Sequence, residues 1–355
     1  MTSIKDDRSS PRPPEPGLLA DWLHAAGVAC TAPLSVSLIA GGRSNLTYAI
    51  TDADGQRLVL RRPPGGELLA SAHDMGREWR FIAALHPTDV PVPEPKVNCE
   101  DPSLIGAPFY VMSFVDGVVV DTGEVAGSLP ESVRQSLGAD LITTMTRLHA
   151  IEPADVGLAD IAKGADYLGR QLRRWQRQWE LSAGPASVTE PLMDTVHADL
   201  VRLAPPQLRT GIVHGDFRLG NMISGRDGTI RAILDWELAT LGDPLADLGY
   251  LLTTWATPED GPDPSNSPSS IGGFQSRTEM IDLYADKSGV DPGKVDYYVA
   301  FNYWRVAAIL AGVSARYQAG TMGDDGTDTA AYAREQAERI SFSARSARAL
   351  LDSLG

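Results

Sequence analysis

A histidine, a glycine and an aspartate stand together at His214-Gly215-Asp216, Asn221 follows five positions after the aspartate, and Ile233-Leu234-Asp235-Trp236-Glu237 comes shortly after. This pattern constrains the fold more than any other, because it asks polar groups from separate segments to converge. Short apolar runs, Gly211-Ile212-Val213 and Met222-Ile223, bracket the first element and read as brief strands around a loop. A further strand, Ile230 to Leu234, delivers Asp235 at its end. Alone, a His-Gly-Asp is often a turn, and an aspartate after a strand is often a helix cap. Both elements together, in this order and on strand-like flanks, point to chemistry.

Phosphoryl transfer asks for this set. One carboxylate must accept or orient the proton of the attacking hydroxyl, and an Asn and an Asp must hold Mg²⁺ against the nucleotide phosphates. The spacing assigns Asp216 as catalytic base, Asn221 and Asp235 to the metal, and His214 to orienting the loop. No Asp-Phe-Gly, activation segment or Ala-Pro-Glu follows Asp235. A protein kinase needs that platform for its peptide, so a hydroxyl on a small molecule is the expected acceptor. In its place runs Gly242-Asp243-Pro244-Leu245-Ala246-Asp247-Leu248-Gly249, where Pro244 suits a first helical turn capped by Asp243.

With these motifs, from about Leu34 to about Arg339, the chain resembles the aminoglycoside phosphotransferase family of choline-kinase-like enzymes. Within it, the wording is similar to the kinase-like domain fused to some acyl-CoA dehydrogenases. The resemblance implies an α+β, two-lobed protein-kinase-like fold with ATP between the lobes. A flexible tail (1–16) would precede a small antiparallel-sheet N-lobe (17–115) and a mainly helical C-lobe (116–355). It also implies that backbone groups of Ser113, Phe114 and Val115 bind the adenine edge, and that Asp247 holds the catalytic loop.

In the N-terminal part, Leu18, Leu19, Trp22 and Leu23 recur at helical spacing within 17–26. Strands are expected at Leu34–Ile39, Asn45–Thr51 and Gln56–Arg62, with a hairpin turn at Asp52-Ala53-Asp54-Gly55. The first turn contains Gly41, Gly42, Ser44 and Asn45, where backbone N–H groups would cradle phosphates. Arg61 stands where a kinase strand carries lysine, and its planar fork suits phosphate. Its expected partner is Glu78, on a helix from about His73 to His86. Pro91 to Pro95 reads as extended, and Phe109 to Val115 as an apolar strand.

Helices dominate the rest, at Glu131–Ala150, Tyr167–Leu181, Thr189–Leu203, Phe274–Ser288, Lys294–Gln318 and Thr329–Leu351. The second carries Arg170, Arg173, Arg174 and Arg177, which read as a solvated face or as a dock for an anionic substrate handle. Residues 259–273 form a Pro-, Ser- and Gly-rich loop that could cover the acceptor. Trp304 reads as core, and Arg305 as a candidate substrate contact.

Bulk properties narrow the partners. The formal net charge is −15 at pH 7, which argues against nucleic acid and tolerates a cationic acceptor. No apolar run is long enough to span a bilayer, and the Pro-rich amino terminus lacks a secretory core, so a cytoplasmic protein is expected. Cys30 and Cys99 suggest neither a metal site nor a disulfide framework. The acceptor remains open between an aminoglycoside and a hydroxyacyl-CoA. The rival to an enzyme is a nucleotide-binding pseudokinase, for which the unusual Arg61 is the one supporting feature.

Overall fold

The computed structural model describes residues 13–41, 45–64, 74–161, 166–207, 209–261, 267–320 and 328–355. Most of the expected tail, Gly42 and Ser44 of the glycine turn, and 262–266 of the long loop lie outside the described residues. The chain is α+β and divides into two compact units, Met1–Asp116 and Gly117–Gly355.

In the first unit, α1 (Pro16–Ala25) begins at a proline, and the Glu15 carboxylate accepts hydrogen bonds from the Gly17 and Leu18 amides. These are orphan donors of a first helical turn. The helix buries Leu19 and Leu23 on one face of an antiparallel sheet, against Tyr48, Leu60 and Phe109. The strands β1 (Ser35–Gly41), β2 (Leu46–Thr51), β3 (Arg57–Arg62), β4 (Pro95–Cys99) and β5 (Phe109–Ser113) run in the order β1-β2-β3-β5-β4. Leu46, Tyr48 and Ile50 alternate inward along β2, as a half-buried strand requires. Strand β4 continues from the Pro91–Pro95 stretch that reads as merely extended. Its proline opens an edge strand, where the missing N–H costs no ladder bond. Helix α2 (Met75–Leu85), capped by Asp74, packs on β4 and β5.

The second unit is mainly helical: α3 (Gly123–Gly127), α4 (Glu131–Ala150), α5 (Tyr167–Ser182), α6 (Leu192–Leu203), α7 (Leu245–Thr253), α8 (Arg277–Ser288), α9 (Val295–Gln318) and α10 (Thr329–Leu354). Helix α9 is its axis, packed by α5, α6, α7 and α10 and burying Phe301, Trp304, Ala307 and Ala308 completely. Trp304 donates its indole N–H to the Met193 carbonyl, so it is core. Gly249 lets α7 press onto α9, since a Cβ there would lie 2.6 Å from Tyr298 Cβ. Two small hairpin ladders carry the loop motifs: β6 (Gly211–Val213) pairs with β9 (Thr240–Gly242), and β7 (Met222–Ser224) with β8 (Ile230–Ile233). Among the described residues no helix is long and apolar enough to cross a membrane.

Candidate active site

Strand β6 ends at Val213, and the chain turns through His214, Gly215 and Asp216 before β7. His214 is fully buried. Its Nε2 donates to the Leu234 carbonyl at 2.9 Å, and its Nδ1 accepts the Asp216 amide at 3.2 Å. One ring thus ties the residue before Asp235 to the backbone of Asp216. Trp236 and Phe217 pack edge-on against it. Asn221 completes the tie: its side-chain amide donates to the Asp216 carbonyl at 2.8 Å and to Asp216 Oδ2 at 2.7 Å. Its backbone carbonyl accepts the Leu234 amide at 2.8 Å. Asp216, Asn221 and the Asp235 segment therefore converge. Asp235 holds a left-handed backbone, φ 65° and ψ 63°, which aspartate tolerates better than most residues and which clusters at functional positions.

Asp216 Oδ1 is buried with no hydrogen bond among the described residues, and it is ion-paired with Arg218, 3.4 Å from its Nε. Burial opposes the Arg218 charge, yet the Asp216 and Asp235 carboxylates hold its guanidinium above the usual value. Burial first, and Asp216 second, push the Tyr250 hydroxyl up, so it stays protonated beside the carboxylate. No hydrogen bond engages Asn221 Oδ1 among the described residues. That oxygen and the Asp235 carboxylate are hard oxygen donors of the kind Mg²⁺ takes, so the residues expected to hold the metal fit it.

Helix α7 grips this loop from below. Asp247 is fully buried and accepts the amides of His214 at 2.7 Å and Gly215 at 2.8 Å. His149 Nε2 lies 3.3 Å from the same carboxylate, and its Nδ1 is 3.0 Å from the Tyr284 hydroxyl. Pro244 occupies the capping position of α7, and the Asp243 carboxylate accepts the Leu245 amide. Gly215 has φ +84°, and a Cβ there would lie 2.8 Å from the Leu238 carbonyl. Gly215→Ala is therefore expected to cost about 1–3 kcal/mol, read as a lower melting temperature together with reduced turnover.

A pocket of about 330 Å³ opens beside the loop. Arg218, Gly220 and Tyr250 form one side, Trp255, Tyr303 and Phe342 an aromatic wall, and Arg339 of α10 a second cationic point. Among the described residues Asp121 is the one carboxylate in the lining, and Ser267 and Pro268 border it from the long 259–273 loop. The described parts of that loop are tied to the body of the second unit. Asp260 pairs with Arg277 at 2.7 Å, and Ser267 donates to the Thr254 carbonyl.

The cations expected to meet substrate are elsewhere. Arg305 is buried and donates to the Gly215 carbonyl and, at 3.0 Å, to Asn302 Oδ1. It is a structural group behind the loop and not a pocket wall, because α9 delivers it from inside the core. Arg173 is exposed and pairs with Asp166 at 3.1 Å, while Arg174 lies over the Trp175 ring. Neither lines the pocket by the loop; Arg173 instead borders a separate pocket with Tyr167 and Leu172. Arg218 could have been suspected from its place two positions after Asp216; Arg339 has no signal in its surroundings.

In the first unit, Arg61 and Glu78 pair as expected, with Arg61 Nε 3.4 Å from Glu78 Oε2. Glu78 is fully buried and also accepts from the Tyr110 hydroxyl at 2.9 Å and the Asn45 side chain at 2.6 Å. A buried charge needs such company. Asn45 thus directs its side-chain amide at Glu78, which steadies the ion pair. Gly41 closes β1 opposite Leu46. Ser113 pairs with Leu58 on β3 and bonds Glu94 through its amide and hydroxyl. The Phe114 amide donates to the Arg57 carbonyl. Val115 makes no backbone hydrogen bond among the described residues.

The comparisons agree with this geometry. A family model described as the phosphotransferase enzyme family matches residues 35–266. Acyl-CoA dehydrogenase family member 10 of Mus musculus is 36% identical over 306 residues, covering 83% of this chain but 28% of that protein. The chain thus spans well under half the length of such relatives. A Ralstonia eutropha crystal structure assigned to the aminoglycoside phosphotransferases is 29% identical, with a TM-score of 0.78 over 95% of this chain and 99% of that one. The streptomycin–ATP ternary complex of APH(2")-IIa shares the fold at 16% identity and a TM-score of 0.56, covering 88% of this chain and 91% of that one. A histidine-tied loop presenting Asp216 and Asn221, a family match across most of the chain and relatives of this kind place the chain in the phosphotransferase enzyme family.

Proposed function

We propose that this chain moves the γ-phosphoryl group of ATP·Mg²⁺ to a hydroxyl of a small molecule that has an apolar body and an anionic group. The observation carrying the reading is the frame of Asp216, Asn221 and Asp235, closed by His214, on a loop whose residues Arg218 to Gly220 line an apolar pocket with a second cation at Arg339. Asp216 accepts the proton of the attacking hydroxyl. Arg218 lies where negative charge accumulates during transfer, and such preplaced charge supplies much of the catalysis in this chemistry. Asn221 and Asp235 would hold Mg²⁺, which would screen the phosphate charge when bound. In the first unit Arg61, steadied by Glu78, would contact the α/β-phosphates, and the backbone at Ser113, Phe114 and Val115 the adenine.

Pocket chemistry ranks the acceptors. An aminoglycoside is a polycation, and here it would meet two arginines, one carboxylate and an aromatic wall. A hydroxyacyl chain ending in a CoA thioester suits this lining better: its acyl part is apolar and its phosphates are anionic. A pseudokinase would have no chemical use for the complete acid and amide set.

Mass spectrometry of two acceptor panels, hydroxyacyl-CoA thioesters and aminoglycosides, incubated with ATP·Mg²⁺ tests this. A gain of one phosphate on hydroxyacyl-CoA, abolished by chelating the metal, is the expected result. Phosphate on aminoglycosides alone would overturn the acceptor. Nucleotide binding with no phosphate on either panel would turn the reading to a nucleotide-binding regulator.

A further inference from the structure

Gly215 is the peptide through which the direction of Asp216 is set, and it is held from both sides. Its amide is taken by Asp247 of α7 and its carbonyl by the Arg305 guanidinium of α9. Arg305 is 4% exposed, anchored by Asn302, and lies 4.9 Å from the Tyr250 ring and 5.5 Å from the Trp175 ring. Asn302 is itself fixed, donating to the carbonyls of Ala246 and Tyr298. The arginine can therefore take few other positions. A planar fork in a fixed slot directs a carbonyl in a way that a flexible ammonium does not.

We propose that Arg305 is a positioning residue for the transfer step: clamping the Gly215 carbonyl against the Asp247 grip on the neighbouring amides, it aims the Asp216 carboxylate at the acceptor hydroxyl. The inference rests on the phosphotransferase reading for its rate effect, but not for its structural effect. Among the described residues Arg305 is not part of the pocket lining. Its loss acts on the chemical step, because a base displaced by an ångström costs about a hundredfold.

The test compares Arg305→Met, Arg305→Lys and, as a control for lost stability, Phe301→Leu, which trims a buried ring on the same helix that packs against Trp304. Arg305→Met is expected to lower kcat about 10²-fold with KM for ATP changed by less than about twofold. Hydrogen exchange of the 214–221 amides should rise more than elsewhere in the chain. Arg305→Lys should recover part of kcat, keeping one donor but not the fork. Phe301→Leu should lower the melting temperature without a comparable loss of kcat. An equal loss of kcat in Phe301→Leu, or unchanged loop exchange in Arg305→Met, would overturn the proposal. If the wild-type chain transferred no phosphate, the phosphotransferase reading would fall, while loop exchange would still decide the clamp.

Discussion

Asp216→Asn is expected to leave a folded protein that binds Mg²⁺-nucleotide normally and turns over about 10² to 10⁴ times more slowly, the usual worth of a general base. The amide can keep its oxygen toward the Asn221 side-chain donor, so the loop keeps its shape. Its nitrogen then faces the Arg218 guanidinium, donor toward donor, so the ion pair with Arg218 is lost. What disappears is the basic lone pair and the negative charge that balances Arg218. Single-turnover transfer beside a nucleotide titration checks the separation. Unchanged turnover would move the base away from Asp216, whereas lost nucleotide affinity would make Asp216 a binding group.

Asp247→Ala is expected to act on the whole second unit. It removes the acceptor for two buried amides and the partner of His149 at once. Stripping one member from a buried charged network costs about 3–5 kcal/mol, which corresponds to melting roughly 6–20 °C lower. Asp247→Asn should lose less, because one oxygen still accepts. The same site carries a pH signature. Burial alone would raise the Asp247 carboxyl, but the His149 hydrogen bond, the His149 and His214 rings and the Gly215 amide outweigh it and hold the group below its ordinary range. A folded-state value below the unfolded one, about 3.9, means the stabilisation is complete above that pH and lost as pH falls through the folded value. Denaturant midpoints measured from about pH 6 to pH 3 should therefore fall more steeply for wild type than for Asp247→Asn. Parallel curves would place the acid sensitivity elsewhere.

Local information made the loop legible. The strands around His214 and Asp235 are short apolar runs, and the five-residue step from Asp216 to Asn221 is what lets an amide reach back to its own loop. Helix α4 keeps its expected bounds, Glu131–Ala150, because its apolar spacing starts directly after Pro130. Arg61 and Glu78 could be paired on kinase strand and helix logic, and they meet. Other features depend on distant partners and leave no trace in spacing. Arg305 and Gly215 are 90 positions apart, and His149 and Tyr284 are 135. From the sequence, Arg305 is a cation on a helix and reads as a substrate contact. Only the packing of α9 against α7 turns it inward. The same holds for the pocket: Arg218 belongs to the motif, but Arg339 and Phe342 join it only because α10 lies along α9. Chemical roles that need neighbours in the chain are written in the motif, whereas roles that need neighbours in space emerge when the core places one helix face against another.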